Sequence, residues 1–180
     1  MEKESLIIVD VQNDFCEGGA LEVPGASEII PIINRLMDRF DFIIATQDCH
    51  PPNHCSFNVW PAHCVAGTEG ADLHKELNAG RINHFIKKGT SEDKEAYSGF
   101  QGTDLSSLLN SNEIRIIYLC GLATDICVKA TAMDGLKEGF KVVVVLDAIR
   151  AVSSKSGETA LKEMEEQGIE FITSDSSEAN

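Results

Sequence analysis

Two short runs, Leu6-Ile7-Ile8-Val9 and Val142-Val143-Val144-Val145, are apolar at every position. A strand with one wet face alternates apolar and polar residues, whereas a strand covered on both faces does not. These runs predict central strands of a parallel sheet, whose neighbours must be joined by crossover connections, usually helices. The remaining pattern agrees. Strands are predicted at Ser5–Val9, Phe42–Ala45, Ile82–Ile86, Ile114–Leu119, Lys141–Leu146 and Ile169–Ile172. Between them lie helical periods: Glu28–Phe40 capped by Ser27, with Pro31 tolerated in the first turn, and a short Thr103–Leu109. A third runs from a Thr124 or Asp125 cap to Glu138, stopped by Gly139, and a fourth over Ser156–Gln167, ending at Gly168. Alternation along all 180 residues predicts a single α/β domain over 1–180. It has three layers, a mostly parallel six-stranded sheet with helices on both faces. The polar stretch 174–180 is expected to fray.

Charge and cysteine content narrow the function classes. Acidic residues number 29 against 15 basic ones, a formal charge of −14, and such a surface repels phosphate backbones. Nucleic-acid binding is therefore not expected. No apolar run approaches a membrane span, so no membrane association is expected either. Met1 is followed by Glu-Lys-Glu and an apolar run too short and too soon acidic for a secretory signal. The expectation is a cytoplasmic protein whose six cysteines are reduced thiols serving metal binding, catalysis or packing.

In open parallel sheets, ligands bind beyond the carboxyl ends of the strands. The residues directly after the apolar runs are Asp10, then Asp48 and His50, Lys88, Gly121–Cys127 and Asp147. Cys127 closes a turn of small and capping residues, where helix N–H groups favour a thiolate and could hold an oxyanion. The alternative is an inert buried thiol. Asp10 is either a turn-capping aspartate or a base within reach of that thiol. Lys88 is either solvated or, ending a buried strand, paired with Asp10.

Three histidines and three cysteines crowd into the seventeen residues from Asp48 to Cys64. Two metal sites compete: a closed one of Cys49, Cys55, Cys64 and a histidine, or an open one of Asp48, His50 and His63. The first lacks the usual short Cys-x-x-Cys knuckle, and Asp-x-His at a strand end projects both side chains the same way, which favours the second. Zn²⁺ is the expected ion, and Fe²⁺ or Mn²⁺ also suits these donors.

Several stretches together resemble the nicotinamidases, of the isochorismatase-like cysteine hydrolases. They are Asp10-Val-Gln-Asn-Asp-Phe-Cys-Glu-Gly-Gly-Ala-Leu, Thr46-Gln-Asp-Cys-His-Pro, Trp60-Pro-Ala-His-Cys-Val-Ala-Gly-Thr, Lys88-Gly-Thr, Tyr97-Ser-Gly-Phe and Gly121-Leu-Ala-Thr-Asp-Ile-Cys. The resemblance spans essentially the whole chain. It implies an isochorismatase-like, Rossmann-like fold and a metal-dependent amidohydrolase that turns nicotinamide into nicotinate and ammonia through a thioester, in NAD salvage, with pyrazinamide as a further substrate. It implies a triad of Asp10, Lys88 and Cys127, and an oxyanion hole from the N–H groups of Ala123 and Cys127 beside a cis Leu122–Ala123 peptide. Asp48, His50 and His63 become the metal ligands, with Ser56 and His54 as additional candidates. Phe15, Trp60, Tyr97 and Leu122 wall the pyridine pocket. A homo-oligomer is compatible with the resemblance. One departure is Cys49, where the family usually has an aromatic. Competing readings are a superfamily amidase acting on carbamoyl or ureido compounds, and a non-catalytic zinc-stabilised scaffold.

Overall fold

The computed structural model describes residues 2–176. Its strands are β1 Lys3–Val9, β2 Ile43–Asp48, β3 His84–Lys88, β4 Ile114–Leu122, β5 Lys141–Arg150 and β6 Glu170–Ile172. They form one sheet in the order β3-β2-β1-β4-β5-β6, and every neighbouring pair is parallel. The sheet is thus wholly parallel, more regular than the pattern required.

The uniformly apolar runs are explained by two cores. Leu6 and Ile8 face one side with Ala45, Cys120 and Val145, against Ile30, Ile33 and Leu36 of helix α1 (Ile30–Leu36). Ile7 and Val9 face the other with Ile44, Leu119 and Val144. That side is covered by α2 (Leu105–Ser111), α3 (Lys129–Lys137) and α4 (Ser154–Glu166), through residues such as Leu105, Ala132 and Met164. Full burial of each such aliphatic side chain stabilises the fold by about 1.5–3 kcal/mol.

Several helix ends depart from expectation. Ser27 does not cap a long helix; residues 26–29 and 37–39 are 3₁₀ turns flanking α1, and the Ser27 N–H and hydroxyl are drawn to the Glu17 carboxylate. Neither Thr124 nor Asp125 caps α3. A π-helical turn, Thr124–Val128, precedes that helix, and the Ala123 carbonyl accepts the N–H groups of Ile126 and Val128, both at 3.1 Å. Asp125 instead accepts from the Val152 N–H at 3.0 Å and the Ser156 hydroxyl at 2.5 Å, tying this turn to the start of α4. Ser153 is the cap of α4. Ser174–Ser176, expected to fray, forms a turn in which Asp147 Oδ1 accepts the Ser174 N–H at 2.8 Å; residues 177–180 lie outside the described residues. The crossover from β2 to β3, for which no helix was predicted, contains short 3₁₀ turns.

Connections run outward in opposite directions from the central pair, β1 and β4, so a crevice opens at their carboxyl ends. Gly121 lets the two strands end side by side. Its φ is +110°, and a Cβ there would sit 2.1 Å from the Val9 carbonyl oxygen. Asp10 leaves β1 and Cys127 follows β4 at this crevice. Among the described residues, no helix is long and apolar enough to cross a membrane.

Candidate active site

Lys88 ends β3 and is 1% exposed, so its ammonium cannot reach water along its stem. Nζ lies 2.5 Å from Asp48 Oδ1, 2.9 Å from Asp10 Oδ2, 3.1 Å from the Ala96 carbonyl and 3.6 Å from Cys127 Sγ. Asp10 is fully buried in left-handed backbone, φ +50°, with Oδ1 accepting from the Thr46 hydroxyl at 2.7 Å. Its Oδ2 makes the ion pair with Lys88 without a well-directed hydrogen bond, and donor atoms of Asp10, Asp48 and Cys127 lie within 4.8 Å of one another.

Two carboxylates and one ammonium share a dry site, and the ionisation follows. Burial lifts the Asp10 carboxyl above its ordinary value; Lys88 opposes the rise and Asp48 adds to it. Burial also acts to raise Asp48, but Lys88 and His50 outweigh it and bring its carboxyl down to about 2. Burial pushes the Cys127 thiol well up, with Lys88 lowering it and the two carboxylates raising it further. Helix N–H groups taken alone favour a thiolate; here burial and the two carboxylates act against that form and Lys88 for it. Such a cluster can pass a proton from Cys127 to Asp10 at the moment of attack. Ala123 and Cys127 border the same cavity, and the Leu122–Ala123 peptide is cis.

Next to this cluster, Asp48, His50 and His63 each bring a donor atom within 4.8 Å of the others. His50 Nδ1 donates to the Gly89 carbonyl at 2.9 Å and His63 Nδ1 to the Pro61 carbonyl at 2.7 Å, which turns both Nε2 lone pairs inward. His50 Nε2 is buried without a hydrogen-bond partner, and Asp48 Oδ2 stands 3.5 Å away. An orphaned imidazole nitrogen facing a carboxylate and a second imidazole fits a divalent cation. Gly89 makes the arrangement possible: with φ +63°, a Cβ there would lie 2.4 Å from His50 Cε1. The converging groups do not include Cys49, Cys55 and Cys64, against the closed cysteine site. His54 stacks on His50 with centroids 4.0 Å apart, but both of its ring nitrogens are engaged. Nδ1 meets the Ser56 hydroxyl at 2.7 Å and Nε2 the Lys94 carbonyl at 3.0 Å. Ser56 and His54 thus bond each other.

A cavity at these groups is lined by Phe15, Trp60, Tyr97 and Leu122 together with Asp48, His63 and Cys127. The Trp60 indole N–H donates to the Tyr97 hydroxyl at 3.3 Å, joining two of the walls.

The model of the isochorismatase domain matches residues 4–176. The chain belongs to the isochorismatase family. It is 38% identical to a nicotinamidase of Acinetobacter baylyi, over 94% of this chain and 92% of that protein. A pyrazinamidase of Pyrococcus horikoshii in complex with zinc superposes with a TM-score of 0.87 at 44% identity, covering 95% of this chain and 99% of that one. PnC1 from L. infantum in complex with nicotinate gives 0.93 at 39% identity, covering 97% and 94%.

Within this isochorismatase domain, some lining residues escaped the sequence reading. Leu21, Val23, Ile126 and Val152 complete the apolar walls, and Glu22 and Glu95 add carboxylates at the cavity. Val152 follows β5, and Asp125 of the Cys127 turn accepts its N–H. No spacing rule connects those two segments. Thr46 was visible as the start of a quoted motif, but its bond to Asp10 depends on strand register.

Proposed function

We propose that this protein is a nicotinamidase, a cysteine amidohydrolase that converts nicotinamide and water to nicotinate and ammonia. One observation carries the reading: the Cys127 thiol, which meets the Lys88 ammonium paired with Asp10, lines an aromatic-walled cavity that Asp48 and His63 also border. The nicotinamidase and pyrazinamidase relatives support it.

Asp48, His50 and His63 would hold a divalent ion, zinc by preference, with His54 and Ser56 left to support His50. When bound, that ion supplies a Lewis-acidic contact for a pyridine nitrogen. Phe15, Trp60, Tyr97 and Leu122 hold the ring and exclude water, which orients the carboxamide over the sulfur. Asp10 takes the thiol proton as Cys127 Sγ bonds to the carboxamide carbon. The N–H groups of Ala123 and Cys127 receive the oxyanion. Lys88 holds Asp10 in place and offsets the negative charge. Collapse breaks the C–N bond, and the proton on Asp10 leaves with ammonia. Asp10, again a carboxylate, then deprotonates the water that splits the nicotinoyl thioester, returning the thiol. The six free thiols support a reducing compartment, and we place the enzyme in the cytoplasm.

Ammonia release from a panel of nicotinamide, pyrazinamide and a ureido compound tests the reading. Nicotinamide should be hydrolysed, Cys127→Ala should be inactive, and chelation should abolish turnover until zinc is returned. Zinc-loaded protein that hydrolyses the ureido compound but not nicotinamide would refute it.

A further inference from the structure

We infer that Gln12 and Asp14 are positioning residues that set the metal ligands in register with one another. The inference rests on the reading of Asp48, His50 and His63 as the ligands. Two of these stand at the end of β2, but His63 lies in a connection, from Asp48 to His84, that has no strand or α-helix of its own. Backbone pairing beside it is limited to the isolated parallel bridge between His50 and Val65, so side-chain anchors from outside the connection add to its placement.

The short segment leaving β1 supplies the anchors. Gln12 is fully buried, and its whole amide is in use. Oε1 accepts the Asp48 N–H at 2.8 Å, while Nε2 donates to the Asp48 carbonyl at 2.8 Å and to the Ala71 carbonyl at 2.7 Å. One side chain thus clamps both backbone groups of a ligand and joins them to the far part of the same connection. Two residues on, Asp14 Oδ2 accepts the Cys64 N–H at 2.7 Å, directly after His63. The circuit closes through backbone: His50 N–H donates to the Cys64 carbonyl at 2.9 Å, and Ala66 N–H to the His50 carbonyl at 2.8 Å. Residues 12 and 14 therefore hold the Asp48–His50 segment and the His63 segment from one rigid base, the same base that carries Asp10. Neither side chain touches the cavity or the nucleophile among the contacts that line it. Groups that orient ligands in this way are typically worth 10- to 100-fold in metal affinity.

The test is zinc affinity, measured on zinc-freed full-length protein by competition with a chromophoric chelator, together with the Co²⁺ absorption spectrum of each variant. Gln12→Met and Asp14→Ala should each bind zinc at least ten-fold more weakly and alter the Co²⁺ ligand-field bands. Asp14→Asn, whose amide oxygen can still accept from Cys64, should recover most of the affinity. Asn34→Ala is the control. Asn34 clamps the backbone of Glu76 and Asn78 with the same amide geometry, at 2.8 Å each, away from the ligands, so its loss should leave zinc affinity unchanged. If Gln12→Met does not fold, the Asp14 pair carries the same comparison. Zinc affinity within three-fold of the parent in the folded variants, with Asp48→Ala and His63→Ala severely weakened, would overturn the inference while sparing the ligand reading. Unchanged affinity in Asp48→Ala and His63→Ala would remove the ligand reading and this inference with it.

Discussion

The ammonium of Lys88 rests 2.5 Å from Asp48 Oδ1, so the cation beside the nucleophile also grips the carboxylate that faces His50. The proposed nucleophile and the proposed metal donors are therefore one electrostatic unit. Lys88 stands between Asp10 and Asp48, and all three side chains are at most 7% exposed. Removing the ammonium would leave two buried carboxylates facing each other.

Lys88→Met tests that unit. Breaking a buried pair by deleting one partner costs about 3–5 kcal/mol, because the remaining charge stays unsolvated. Thermal denaturation should show a large fall in Tm, and ammonia release from nicotinamide should drop by more than about 100-fold. A variant as stable as the parent would mean the two carboxylates are not both ionised.

Activity should fail in acid earlier than an ordinary aspartate predicts. Asp10 must be ionised to accept the thiol proton, and burial raises its carboxyl above 3.8. Lowering pH protonates it before a solvent-exposed aspartate would be protonated, so kcat/KM falls as pH drops through that raised value. A pH profile of kcat/KM with its acid limb at or below 3.8 would contradict a raised Asp10 carboxyl.

Gly89→Ala should damage the metal donors without touching one of them. An alanine there must adopt φ +63°, a cost of about 1–2 kcal/mol, and its Cβ would strike His50 Cε1 at 2.4 Å. The ring would be displaced from the Gly89 carbonyl that fixes its tautomer. Metal analysis after dialysis should find reduced zinc, and the Tm should fall; full zinc occupancy would contradict the clash.

Trp60→Ala removes an aromatic wall and the 3.3 Å link to the Tyr97 hydroxyl while leaving the triad in place. Steady-state kinetics should show KM raised roughly ten-fold, corresponding to about 1.4 kcal/mol of lost ring contact, with a smaller change in kcat. A pure kcat effect would place Trp60 outside substrate binding.

Ser153→Ala addresses stability alone. The Ser153 hydroxyl accepts the Ser156 N–H at 3.2 Å as the cap of α4, and losing such a cap costs about 1 kcal/mol. For a chain of this size that corresponds to a Tm lower by about 2–4 °C. Calorimetry measures it directly.

Much of this protein was legible in its sequence because the relevant physics is local. The uniformly apolar runs at 6–9 and 142–145 became β1 and β5 of a parallel sheet covered on both faces. The residues at or past the strand ends, Asp10, Asp48, His50, Lys88 and Cys127, came together because all the strands point the same way, so their carboxyl ends share one rim. Helix ends were less legible. Ser27 and Asp125 have the chemistry of caps, but Glu17, Val152 and Ser156, distant in sequence, compete for their hydrogen bonds and win. Protonation was not legible at all. A thiol near helix N–H groups reads as a thiolate, whereas burial of Cys127 pushes its thiol up, with Asp10 and Asp48 adding to the rise and Lys88 opposing it. The clamp of Gln12 on Asp48 was equally hidden, since a glutamine two residues past a strand has no local sign of its partners. Sequence by itself determined which side chains are available and which rim they occupy, since those follow from short-range periodicity and strand direction. Tertiary structure alone decided their ionisation, their hydrogen-bond partners and the walls of the cavity, because desolvation and long-range contacts exist only once the chain has closed around them.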